Sequence, residues 1–439
     1  MAPLPVIIDT DPGVDDVLAL LLALSSPHLL VVGITLTHGN CSLSSTEKNL
    51  SKLFYALEKH LEYKEDREGR WRGLRDVEWR TQWGGKGCEK IRVWRGCEGP
   101  TGGKAVTAKY FHGQDGLANC ETLHPELTAP PGHSSPFYTI HDESALEGVT
   151  SLVESWPKEA RKLSYIALGP MTSLAQLSEK LDLEDSFERI LSMGGAVEHP
   201  GNTTPIAEFN YYADPWSART LFSLPLSNLY IFPLDLTTYL ILPFSLYASS
   251  IDPDFSSSSK SVAKGKDPLI HFTSSFLKGT EKVMKSFGGD AMELHDPIVV
   301  FALIEYARHT EQEKDAKAGE FAEGWEWKRV DFEIECDGTL TRGMLVLDHR
   351  ASSKSSTSLT GRTGQTNRTI AIEQDVEVNG DVVLDVVEAE AREAEKKEIE
   401  KGKKRVCGAR VVTTSPGSRK MRKELFERVW GVRQEEPEN

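Results

Sequence analysis

Asp9-Thr10-Asp11-Pro12-Gly13-Val14-Asp15-Asp16 places four carboxyl groups within eight residues. Carboxylates packed this tightly repel one another, so some must take up protons unless a cation sits among them. The stretch holds no cysteine and has no histidine nearby. An all-oxygen donor set of this kind favours a hard ion, Ca²⁺ or Mg²⁺, over zinc. Further polar residues recur along the chain: Asn40 in Thr37-His38-Gly39-Asn40, Thr172 in Gly169-Pro170-Met171-Thr172, Asn202, Glu208 and Asn210 within nine residues, and His295 beside Asp296. Apart from the histidine, these are oxygen ligands and hydroxyl-binding groups. Together they suit a metal-held polyol such as a ribose, with one titratable acid beside it.

The elements that must position these groups follow from periodicity. The run Val6-Ile7-Ile8, the Pro12-Gly13 turn and the apolar segment Val17 to Leu24 read as a buried strand, a tight loop and a helix. Asp11 is expected at the helix N-cap and Pro12 at its first position, with Asp15 and Asp16 in the first turn near the positive end of the helix dipole. Leu29 to Thr37, Ile91 to Arg95, Leu163 to Leu168, Arg189 to Met193 and Leu229 to Leu234 read as further strands. Helical spacing recurs between them, as at Leu50, Leu53, Phe54, Leu57 and Leu61. This alternation predicts an α/β fold, an open, mixed but mostly parallel sheet with flanking helices. The candidate residues then fall in loops after strands, where such sheets bind ligands.

A formal charge of -15 argues against nucleic acid or an anionic membrane as partner and leaves a small molecule. Six cysteines, Cys41, Cys88, Cys97, Cys120, Cys336 and Cys407, show neither a C-x-x-C pair nor zinc-ligand spacing, which fits a reducing compartment. The chain begins Met1-Ala2-Pro3-Leu4-Pro5 and enters its first strand directly, and its apolar runs are too short to span a bilayer, so a cytoplasmic location is expected. Residues 1–350 are expected to form one catalytic domain, with a Trp/Arg-rich insertion at about 63–90 looped out from the sheet and a charged, solvated one at about 310–326. Lys328 to Leu347 resembles a hairpin around Asp337-Gly338. Residues 351–439 read as an extension: a Ser/Thr-rich linker, a charged helix over Glu388 to Lys404 and a short terminal helix over Met421 to Val429.

Taken in order, these motifs resemble the nucleoside hydrolases of the inosine-uridine-preferring type. The opening Asp9 to Asp16 stretch matches the N-terminal signature of that family. Thr37 to Asn40, Gly169 to Thr172, Met193-Gly194-Gly195, Asn202 to Asn210 and His295-Asp296-Pro297 follow in the family's order, and Thr339 to Met344 looks like its late hairpin. The resemblance implies a Rossmann-like nucleoside hydrolase fold, a homodimer or homotetramer, and a role in purine and pyrimidine salvage. Asp11, Asp16, Asp296 and the backbone carbonyl of Thr172 would bind Ca²⁺. Asp15, Asn40, Asn202, Glu208 and Asn210 would hold the ribose hydroxyls, with Met193 lining the sugar pocket. His295 would stand on the side of the leaving base, with His112 a candidate second group there.

N-glycosidic cleavage passes through an oxocarbenium-like state, in which water must be aimed at the anomeric carbon and the base must receive a proton. Asp11 is then the expected general base and His295 the expected general acid. Thr238 stands where the family often has histidine. Two other readings compete: a catalytically silent Ca²⁺- or ribose-binding regulatory protein, and a Mg²⁺-dependent phosphohydrolase built on Asp9 and Asp11. The second would want a phosphate-binding lysine, where these loops offer Asn, Glu and His.

Overall fold

The computed structural model describes residues 2–66, 68–157, 160–256, 261–312, 321–347 and 408–433. Within them the strands are β1 (Leu4–Thr10), β2 (Leu29–Leu36), β3 (Ile91–Arg95), β4 (Tyr138–Ser144), β5 (Leu163–Ala167), β6 (Phe187–Met193), β7 (Leu229–Phe232), β8 (Ile241–Pro243), β9 (Ala291–Glu293), β10 (Glu326–Val330), β11 (Glu333–Ile334), β12 (Leu345–Val346) and β13 (Ala409–Thr414). Nine of them form one sheet in the order β10-β13-β7-β6-β5-β1-β2-β3-β4. Every neighbouring pair is parallel except β10 with β13 at one edge. Strand order reverses where β1 lies between β2 and β5, so the crevice outside the ends of β1 and β5 is the topological switch point at which such sheets bind ligands.

The sheet is covered on both faces. Leu4, Val6 and Ile8 of β1 point into one apolar layer and Ile7 into the other, which is why this strand is a continuous rather than an alternating apolar run. The opening helix, Val14–Ser25, is buried along its whole length and lies against the helix His295–Gln312. A helix enclosed by protein is apolar all round, as Val17 to Leu24 is. Each fully buried leucine there contributes about 1.5–3 kcal/mol. Packing these two helices together brings their acidic first turns side by side.

Several local expectations change. The opening helix is capped at Gly13, not Asp11: Asp16 Oδ2 accepts from the Gly13 N–H at 3.0 Å, closing the first turn from inside and freeing the Asp11 side chain. The stretch around 63–90 does not loop out. It folds into two short helices, Arg72–Arg75 and Val77–Gly84, with Trp71 fully buried and the Arg80 guanidinium donating to the carbonyls of Cys88, Gly73 and Val31 at 2.8, 2.7 and 3.0 Å. Helices this short leave no readable period. In the charged 310–326 stretch, Phe321 and Trp325 are buried in the core.

The expected hairpin is reduced to β11 and β12, because β10 pairs with β13 instead. Residues 409–430 are continuous with the catalytic body. β13 lies between β7 and β10, and Met421, Leu425, Phe426, Val429 and Trp430 join its core. The expected linker over 351–367 and the charged helix over 388–404 lie outside the described residues. Among the described residues, no helix is long and apolar enough to cross a membrane.

Candidate active site

The four opening carboxyls part where β1 ends at Thr10. Asp9 turns to β2, where its Oδ1 accepts from the Thr35 hydroxyl, and complete burial pushes its pKa up to about 7. Asp11, just past the end of β1, projects into the crevice. Its Oδ2 accepts from the Asn40 N–H at 2.6 Å, while its buried Oδ1 has no partner. Glycines make this placement possible: a Cβ at Gly39 would lie 2.0 Å from Asp11 Oδ2, and one at Gly169 would lie 2.6 Å from Oδ1. Asp16 Oδ1 accepts from the Thr10 hydroxyl at 2.6 Å and from the Asp11 N–H at 3.2 Å.

Asp15, Asp16 and Asp296 each offer an oxygen within 4.8 Å of the others, and all three residues are buried. Burial first, then the neighbouring carboxylates, holds Asp11 and Asp296 well above the usual carboxylate range and pushes Asp15 up to about 7. Asp15 Oδ1 is also buried without a partner. Concentrated negative charge and unfilled oxygen lone pairs are what a hard cation neutralises. Thr172 heads the short helix Thr172–Leu177 after β5, and its hydroxyl donates to Asp214 Oδ2 at 2.6 Å. A separate cavity of about 340 Å³ adjoins Thr172 on the side of Cys97, Thr101, Ser144 and Gln176 and is lined by none of Asp11, Asp15, Asp16 or Asp296.

The other wall is built from the ends of β5 and β6. Glu208 caps the helix Phe209–Ala213, accepting from the N–H groups of Gly195 at 2.9 Å, Asn210 at 2.8 Å and Tyr211 at 3.2 Å. Burial raises its pKa against these bonds. Asn210 Nδ2 donates to the Leu168 and Met193 carbonyls at 2.7 and 3.2 Å, and Met193 itself is buried. Asn202 is exposed at the rim, its Oδ1 accepting from the Phe209 N–H at 3.0 Å. Asn40 Nδ2 donates to Asp16 Oδ2 at 2.9 Å, so part of its amide braces the acidic loop.

His295 lies beyond these groups. Its Nε2 is 2.9 Å from Glu293 Oε2 and its Nδ1 2.8 Å from the Thr237 hydroxyl. Burial alone would lower its pKa, but Glu293 first, then Asp15 and Glu208, raise it overall, favouring the imidazolium. His112 is different in character. Its Nδ1 accepts from the Val14 N–H at 3.2 Å at the start of the opening helix, and burial brings its pKa down to about 4. That bond makes Nδ1 an acceptor and commits it to the helix start.

Three positioning residues escape a reading of motifs. Glu293 stands two positions before His295, a spacing that was its one signal. Thr237, rather than Thr238, reaches the imidazole. Asp214, legible only as a helix start before Pro215, accepts from the hydroxyls of Thr172 and Ser217, each at 2.6 Å, and from the Thr101 N–H at 2.9 Å.

A family model described as inosine-uridine preferring nucleoside hydrolase matches residues 6–66 and 75–380, its gap falling within the Trp/Arg-rich stretch. Probable uridine nucleosidase 2 of Oryza sativa subsp. japonica is 30% identical over 301 residues, covering 68% of this chain and 73% of that protein. The inosine-uridine preferring nucleoside hydrolase of Leishmania major is 26% identical over 353 residues, covering 79% and 88%. Among solved structures, the plant nucleoside hydrolase PpNRh1 superposes with a TM-score of 0.61 at 20% identity, over 97% of this chain and 99% of that one, a likeness of fold. The chain belongs to the inosine-uridine preferring nucleoside hydrolase family and is a nucleoside N-glycosyl hydrolase.

Proposed function

We propose that this enzyme hydrolyses ribonucleosides to ribose and free base with a Ca²⁺ ion held by Asp11, Asp16, Asp296 and the Thr172 carbonyl. The observation that carries the reading is the buried group of Asp15, Asp16 and Asp296, with Asp11 Oδ1 unpartnered beside it. When bound, the ion would supply the charge that holds a water near the anomeric carbon and makes it acidic. Asp11 would accept the proton of the attacking water. Asp15, Asn40, Asn202, Glu208 and Asn210 bind the ribose hydroxyls, Met193 lines the sugar pocket, and the surrounding carboxylates stabilise the positive ring of the transition state.

His295 protonates the departing base. To do so its Nε2 must exchange Glu293 for the base nitrogen, and Thr237 holds the ring in place through Nδ1 meanwhile. His112 acts by bracing the opening helix beside this pocket. The relatives' names make uridine and inosine the first substrates to assay. We further propose a cytoplasmic salvage role and a homodimer or homotetramer. The unpaired state of Cys41, Cys88, Cys97, Cys120 and Cys336 supports a reducing compartment.

Release of reducing sugar from inosine, uridine, cytidine and adenosine, with and without a calcium chelator and alongside Asp11→Asn, tests the reading. Chelator-sensitive release that vanishes in the variant is expected. Ribose binding without release from any nucleoside would instead identify a silent binding protein.

A further inference from the structure

Away from the acidic crevice, His124, Glu126 and His271 converge from two elements distant in sequence. His124 and Glu126 flank Pro125 after the short helix Cys120–Leu123, and His271 lies in the first turns of the helix Pro268–Ser286. Each offers a ligand atom within 4.8 Å of the other two. Glu126 Oε1 is 3.2 Å from His124 Nδ1 and 3.0 Å from His271 Nε2, and the two rings meet edge to face with centroids 5.3 Å apart. Around a tetrahedral ion with bonds of about 2.0–2.1 Å, neighbouring ligand atoms stand roughly 3.3 Å apart, close to the separations seen.

Two further features favour an ion over a simple ion pair. Both imidazoles are buried while the Glu126 side chain remains 47% exposed, so the cluster opens to solvent on one side only. The Ser261 hydroxyl holds His271 Nδ1 at 2.8 Å, the outer-shell contact that fixes tautomer and orientation in histidine metal sites.

We propose that His124, Glu126 and His271 form a divalent metal site of the zinc class, with a fourth position open to water beside Glu126. Two imidazoles and a carboxylate suit zinc and its neighbours, whereas the all-oxygen acids of the crevice suit a harder ion. The ion ties the 120–127 segment to the helix Pro268–Ser286, and the contact of Cys120 Sγ with Ser275 Oγ at 3.3 Å continues the same seam one helical turn along.

The test uses the full chain, stripped with chelator, incubated with Zn²⁺ alone and passed through gel filtration. The expected result is one retained zinc per chain and, with Co²⁺ in its place, the intense visible bands of a four-coordinate site. His271→Ala and Glu126→Gln should weaken retention by at least tenfold, and Asp296→Asn should leave it unchanged. Glu126, being half exposed, keeps the test decisive if His271→Ala fails to fold. Zinc that is not retained, that is retained equally by Glu126→Gln, or that is lost in Asp296→Asn would overturn the proposal.

Discussion

Glu293 Oε2 lies 2.9 Å from His295 Nε2, the nitrogen we propose serves the leaving base. A carboxylate in that position favours the charged form of the ring, and in the proposed mechanism it would give up its hydrogen bond to the leaving base.

Removing the acid should therefore matter in proportion to how much the leaving group needs a proton. His295→Ala is expected to lower kcat for inosine and uridine by about 10²–10⁴-fold. It should have much less effect on a p-nitrophenyl riboside, whose leaving group departs as a stable anion. Glu293→Gln should show the same pattern more weakly. Equal losses on both kinds of substrate would assign His295 to binding instead.

Asp11 sits in a space cleared by two glycines, and a methyl group at either one intrudes on its carboxylate. Gly39→Ala is expected to reduce kcat by about 10²-fold or more through misplacement of the base, with little change in the circular dichroism spectrum. A variant with full activity would show that the Asp11 position seen here is not the reactive one.

Mutual repulsion in the acidic group should be relieved by its ion. Adding Ca²⁺ to chelator-treated enzyme should raise Tm, by an amount that grows with ion concentration. Asp296→Asn should flatten that dependence while raising Tm in the absence of ion, because it removes a carboxyl that the fold can bury only at the cost of taking up a proton. Calorimetric scans with and without Ca²⁺ check both signs.

The C-terminal segment is tied on by charge as well as by apolar contact. Glu424 accepts from Arg428 at 3.0 Å and also pairs with Arg308 of the helix His295–Gln312. Burial would raise its pKa, but the two guanidiniums outweigh this and hold it below its ordinary value. A depressed carboxyl pKa stabilises the fold above the unfolded value, near 4.3, and that stability is lost as pH falls through the folded value. Glu424→Gln should cost about 1–3 kcal/mol at neutral pH, since Arg308 keeps Glu305 as a partner, with the deficit shrinking below about pH 4. Denaturant titrations at pH 7 and pH 4 measure it.

Much of this enzyme is written locally. The order of strands and helices, the Asp9 to Asp16 loop and the succession of strand-end motifs are legible because a strand's two-faced run, a Pro-Gly turn and a helix's apolar stripe depend on neighbours in sequence. So is the all-oxygen, acidic character of the crevice, which follows from residue type alone. What tertiary structure decided is which of these groups meet. Asp9 turns away to Thr35 because alternation along β1 puts it on the opposite face from Thr10. Asp296 joins Asp15 and Asp16 because two helices distant in sequence pack side by side. The partners of His295, the place of β13 inside the main sheet, and the meeting of His124 with His271 are likewise contacts between remote segments. Such contacts leave no period and no spacing in the chain, since they are selected by the packing of whole elements.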